Sequence, residues 1–176
     1  MLDRTSAYGI ILAALLLCRA LPLGCPVESR AEGVMTNDLH DFEQFMQRRA
    51  EAASAYVRGD AAPLDSIVAR EGAATFFAPR GGVVQDVDAV SRRYLQDAQS
   101  FAPGGESRFE ILQMDVSDGL AYWVGFQRAT TYMQGQSEAV LFNLRVTEVF
   151  RHEGNAWKLV HRHADMLASE TSEQKT

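Results

Sequence analysis

Residues 144–165 read LRVTEVFRHEGNAWKLVHRHAD, and this stretch decides the fold because it reads as two antiparallel strands joined by a tight turn. Val140, Phe142, Leu144, Val146 and Phe150 recur at period two, with Glu148 the one charged member of the set, while Asn143, Arg145, Thr147 and Arg151 form the wetter alternate face. Glu153-Gly154-Asn155 supplies the turn, since Gly and Asn adopt positive φ at little cost. Pairing His152 with Trp157 sets Glu148 opposite His161 and gives the last strand an inward set of Trp157, Leu159, His161 and His163. A one-residue slip would instead set Thr147 opposite His161 and Arg145 opposite His163. The first register buries more apolar surface and is the expectation.

Upstream, turn signals at Ser117-Asp118-Gly119 and Gln134-Gly135-Gln136 mark two more strands from about Ser107 onward. Before them the period changes. Leu39, Phe42, Met46, Ala50, Ala53 and Val57 recur at three- and four-residue spacing after the capping candidates Thr36-Asn37-Asp38, which predicts a long amphipathic helix ended by Gly59. Asp60 caps a short second helix carrying Leu64, Ile67 and Val68. Ala73 to Phe77 reads as a short strand closed by Pro79 and Gly81-Gly82, and a third helix covers about Val87 to Ser100 with Val90, Tyr94, Leu95 and Ala98 inside. Three helices followed by a four-strand meander, with one short strand between, predict an α+β domain whose curved antiparallel sheet wraps the helices.

The expected organisation is a leader over 1–34, one domain over 35–166 and a disordered tail over 167–176, ending SETSEQKT. A net charge of −6 without a basic cluster argues against nucleic acid or an anionic membrane surface as partner of the domain. Both cysteines, Cys18 and Cys25, lie in the leader, so they report nothing about the redox compartment of the domain. The apolar run Ile10 to Leu17 is too short to span a bilayer and follows a weakly charged start, the pattern of a poor secretory signal. Leu21-Pro22-Leu23-Gly24-Cys25 loosely resembles a lipoprotein box, and Ser29-Arg30-Ala31 and Cys18-Arg19-Ala20 offer cleavage sites. Two readings follow: a cytoplasmic protein starting at Met35, or an exported one.

The order helix, Gly-Asp, helix, short strand with Pro, helix and meander ending in Trp157-Lys158-Leu159-Val160-His161-Arg162-His163 resembles the SnoaL-like branch of the nuclear transport factor two superfamily. Ala55-Tyr56-Val57-Arg58-Gly59-Asp60, Ala74-Thr75-Phe76-Phe77-Ala78-Pro79 and Arg128-Ala129-Thr130 carry the same resemblance, which covers roughly Asp38 to Asp165. It implies a cone with a pocket on its concave side and a homodimer through the outer sheet face. Fold alone does not give function. The tyrosine and aspartate positions of the ketosteroid isomerases fall here on Ala52 and Ala78, which removes that mechanism. The kinase association domain is similar at Arg128-Ala129-Thr130 and at His161 and His163, but positions of its pocket arginines fall on Glu148 and Ala164, so its ligand preference is not carried over.

Strand alternation groups Arg128 with Tyr122, Val124 and Phe126 on the face expected to meet Phe142 and Glu148. Arg128, Glu148, His161 and His163 would then converge in the cone. In the catalytic reading His163 moves a proton, Glu148 orients it or acts as base, and Arg128 stabilises developing negative charge. Tyr56, Phe77, Tyr122, Phe126, Phe142, Trp157 and His161 would bind the substrate. In the alternative reading Glu148 and His161 satisfy each other as a structural polar core in a binding or oligomerisation module. A metal centre ranks below both because His161 and His163 lack a third histidine in reach, so no metal and no cofactor is expected. Trp123 falls on the face opposite Arg128, where it would be buried in a homodimer. A small-molecule ligand is the remaining expected partner.

Overall fold

The computed structural model describes residues 28–167, with side chains from residue 38. Most of the leader, with its apolar run and lipoprotein-like box, and the tail beyond 167 lie outside the described residues. Helix α1 spans Glu28–Tyr56, α2 Ala62–Ile67 and α3 Val87–Ala98. Strands are β1 Thr75–Phe77, β2 Val83–Gln85, β3 Phe101–Ser117, β4 Leu120–Met133, β5 Ala139–Glu153 and β6 Ala156–Met166. They form one sheet in the order β2-β1-β6-β5-β4-β3, with β1 parallel to β6 and every other pair antiparallel. This is the α+β cone expected from the sequence, with β2 an additional short strand and β3 starting earlier than Ser107.

Helix α1 begins at Glu28, so Thr36-Asn37-Asp38 lie within it rather than at its start. Its inner stripe is Phe42, Phe45, Met46, Arg49, Ala52 and Ala53, continued just past its end by Val57, all buried. Three- and four-residue steps bring these side chains to one side. Phe42 packs edge-on against Phe150 and Trp157, which ties α1 to the far end of the β5–β6 hairpin. Asp86 caps α3 by accepting from the backbone N–H groups of Asp88 and Ala89. Val90, Tyr94 and Ala98 are buried as expected, whereas Leu95 is exposed because it lies off that stripe.

The inward faces of β4 and β6 differ from those expected, β4 by the choice of face and β6 by a break in the alternation. In β4 the buried residues are Ala121, Trp123, Gly125, Gln127, Ala129 and Thr131. Trp123 pairs with Glu148, and directly paired residues share a face, so the inward Glu148 brings Trp123 inside and sends Arg128 out. In β6 the expected His152–Trp157 and Phe150–Leu159 pairings form, then a bulge follows. Val149 pairs with His161 rather than Val160, so every later residue changes face and Glu148 meets Arg162.

Candidate functional site

The bulge delivers a guanidinium to the middle of the cone. Glu148, fully buried at 0% exposure, accepts from Arg49 Nε at 3.0 Å and Arg49 Nη2 at 2.5 Å, a two-point contact from α1. Trp123 Nε1 donates to it at 2.8 Å, and Arg162 Nη1 closes the set from β6. Arg162 Nη2 donates to Gln127 Oε1 at 2.6 Å, and Gln127 Nε2 in turn donates to Ser107 Oγ at 2.8 Å. The network thus joins α1, β3, β4, β5 and β6. Burial by itself would raise the Glu148 pKa, but the charges of Arg49 and Arg162 and the hydrogen bonds from Arg49 and Trp123 prevail and hold its carboxyl below the usual range.

Beside this network lies a cavity of about 250 Å³ between α1, α3 and the inner sheet face. Arg49, Arg162 and Gln127 form its polar side, and Tyr56, Leu64, Phe76, Ala129, Phe142 and Leu144 supply apolar wall. Tyr94 lines it too, and its hydroxyl is buried without a hydrogen-bond partner among the described residues. Burial raises the pKa of both Tyr94 and Tyr56, so each hydroxyl stays protonated and available as a donor. Ala78, Pro79, Arg80 and Gly81 from the β1–β2 turn also reach the cavity, and the Arg80 guanidinium carbon lies 5.4 Å from the centre of the Phe142 ring.

Of the residues expected at the site, Glu148 sits beside the cavity and Tyr56 and Phe142 line it. The others do not gather with them. Arg128 lies on the outer face, 3.3 Å from Glu110, with its guanidinium over Phe126, and Tyr122 shares that face, accepting from Gln113. His161 and His163 project outward past the bulge, where Phe77 packs edge-on to both rings. His161 Nδ1 is 2.7 Å from Thr75 Oγ1, and burial, then the neighbouring His163, lower its pKa. The expected Glu148–His161 contact is therefore replaced by Glu148–Arg162. Trp157 is buried against Phe42 in the core and away from the cavity. Trp123, assigned from the sequence to an outer dimer face, is 0% exposed inside.

Three polar site residues, Arg49, Arg162 and Gln127, had escaped the sequence reading, the last because β4 turns in the face opposite to the expected one. Arg49 falls between Met46 and Ala53 at helical spacing, so its place on an otherwise apolar stripe was the available signal. Arg162 had no comparable signal, because the bulge that turns it inward leaves no mark in the alternation. Among the described residues no group of three metal-ligating side chains forms, and no helix is long and apolar enough to cross a membrane.

Comparison with known proteins finds a SnoaL-like domain match over residues 44–169. No curated protein matches the chain. Similar solved structures include a protein provisionally named a dehydratase of the nuclear transport factor 2-like family from Streptomyces avermitilis, 21% identical, covering 74% of this chain and 98% of its own, with a TM-score of 0.60. Another, provisionally named a scytalone dehydratase, from Novosphingobium aromaticivorans, is 12% identical and covers 76% of this chain and 89% of its own at a TM-score of 0.64. A third, provisionally named a calcium/calmodulin-dependent protein kinase type II association domain, from Thiobacillus denitrificans, is 14% identical and covers 68% and 91% at a TM-score of 0.54. At these identities the likeness is one of fold.

Proposed function

The chain belongs to the SnoaL-like domain family, and on that basis we propose that it binds one small organic molecule in the cavity between α1, α3 and the sheet. The observation that carries this reading is the unpartnered, buried Tyr94 hydroxyl in a mostly apolar cavity that also contains guanidinium and amide groups. A buried donor without an acceptor costs about 1–3 kcal/mol, and a ligand oxygen would recover it. The ligand body lies against Phe76, Leu64 and Phe142, and its acceptor group points to Tyr94 and Arg162. Turnover, where it occurs, uses Arg162 and the neutral tyrosines to stabilise negative charge developing on a carbonyl oxygen. Glu148 has both carboxylate oxygens engaged by Arg49, Trp123 and Arg162, so neither is free to serve as the base. The dehydratase names of two structural relatives make elimination the first reaction to assay.

Ala129→Leu tests the placement, because the added side chain occupies the cavity. Small aromatic and alicyclic fragments that raise the melting temperature of the parent should leave this variant unmoved, with its own melting temperature unchanged or higher. His163→Ala should bind the same fragments as the parent does. Loss of binding in His163→Ala with retention in Ala129→Leu would move the site to the outer face and end this reading.

Assembly is a second proposal. With Trp123 inside, the dimer surface consists of the outward Val124, Phe126 and Leu141, the last 62% exposed. Light scattering at micromolar concentration should give about twice the chain mass of 19.5 kDa. A monomer mass there would count against it.

A further inference from the structure

The binding reading leaves the ligand class open, and the charge around the cavity narrows it. Among the described residues four arginines line the space, Arg49, Arg80, Arg93 and Arg162, against Asp97 on the lining and Glu148 behind it, leaving a surplus of two positive charges. Arg93 and Asp97 cancel each other, with Arg93 Nε 2.7 and 2.8 Å from the two carboxylate oxygens. At the inner end two guanidiniums share the single carboxylate of Glu148. Arg49 is 2% exposed, and its Nη1 has no hydrogen-bond partner among the described residues, although the guanidinium lies 5.1 Å from the centre of the Phe109 ring. A buried cation in excess of its counter-charges is costly, and a bound anion would offset it.

Resting on the binding reading above, we propose that the ligand is a small organic anion, a carboxylate on an apolar body, with its head group between Arg49, Arg162 and Tyr94. The geometry suits a carboxylate. Its two oxygens accept from guanidinium and phenol donors together, whereas a neutral carbonyl offers one oxygen and leaves the charge surplus in place. A cation is excluded by the same surplus. Arg80, exposed at the mouth and stacked toward Phe142, adds a positive field along the entry path.

The test titrates the full chain with benzoate and cyclohexanecarboxylate and with the matched neutral amides, benzamide and cyclohexanecarboxamide, by calorimetry at pH 7 and low salt. The acids should bind more tightly than their amides by about tenfold, the factor one charge-assisted hydrogen bond is worth. Tyr94→Phe keeps the ring packing against Phe76 and removes only the unpaired hydroxyl, so it should fold as the parent does and weaken the acids several-fold more than the amides. Amides binding as well as acids would overturn the anion while sparing the pocket. Binding of neither pair would remove the pocket and the anion together. Acid affinity unchanged in Tyr94→Phe would show that the head group does not sit between Arg49, Arg162 and Tyr94.

Discussion

Glu148→Gln is expected to lower the stability of the chain by about 3–5 kcal/mol, because it leaves the guanidiniums of Arg49 and Arg162 buried together without their shared counter-charge. The amide is nearly isosteric, so the loss is electrostatic rather than a cavity effect. It can accept at one oxygen only, whereas Glu148 accepts from Arg49, Arg162 and Trp123. In a domain of this size such a change lowers the melting temperature on the order of 10 °C. Urea unfolding would measure it directly, and a variant within about 0.5 kcal/mol of the parent would mean that the two arginines reach solvent and the network is not closed.

The same substitution has a pH signature with a fixed sign. Because Arg49 and Arg162 hold the Glu148 carboxyl below the usual range, the folded state binds its proton more weakly than the unfolded chain does. The stabilisation is therefore fully present above the unfolded value of about 4.3 and is lost as pH falls through the lower folded value. The stability gap between parent and Glu148→Gln should be flat from about pH 5 to 8 and should narrow below about pH 4. Asp65, whose pKa is lowered by Arg70 and Ser91 against its burial, contributes equally to both proteins and cancels in the difference.

How much of this was legible in the sequence depended on whether one local rule held along the whole element. In β5 it did: Leu144, Val146, Glu148 and Phe150 turn inward at period two, and the oddity of a glutamate in that set marked the centre of the site. In β6 the rule held from Trp157 to Leu159 and failed at one extra residue, which exchanged His161 and His163 for Arg162 and Ala164. Both candidate faces carry polar nitrogen-bearing side chains, so composition could not choose between them. In β4 the larger apolar residues Tyr122, Val124 and Phe126 lie outside, and the small residues Ala121, Gly125 and Ala129 lie inside with Trp123. An inner face that must leave a cavity and admit close backbone approach favours small side chains, which hydrophobic alternation scores as weak. The fold survived these errors because it rests on element order and turns, while the site rests on which side of a strand each residue faces.

Gly125→Ala is expected to be the most disruptive single-methyl change in the sheet. Gly125 pairs with Ile111 and Val146, next to the bulge that separates Ile111 from Gln113 in β3. A Cβ built there would lie 2.1 Å from the Glu110 carbonyl oxygen and 3.1 Å from both the Glu110 carbonyl carbon and the Leu112 nitrogen. All three are backbone atoms, so no rotamer change relieves the overlap and the β3–β4 ladder must open. Glycine at this point lets β3 fold closely across β4, which carries Phe109 onto Trp123 at a ring separation of 4.6 Å and beside Arg49. The cost should reach or exceed about 3 kcal/mol, at the upper end for overpacking because the obstacle is main chain. Gly135→Ala is the comparison: its backbone, unlike that of Gly125, is left-handed at φ +75°, yet none of the described residues lies within 4 Å, so it should lose only about 1 kcal/mol. Urea midpoints followed by tryptophan fluorescence compare the two. Equal small losses would mean that β3 moves aside freely, and the curvature that encloses the cavity would then have to come from the helices packed against the sheet rather than from the glycine.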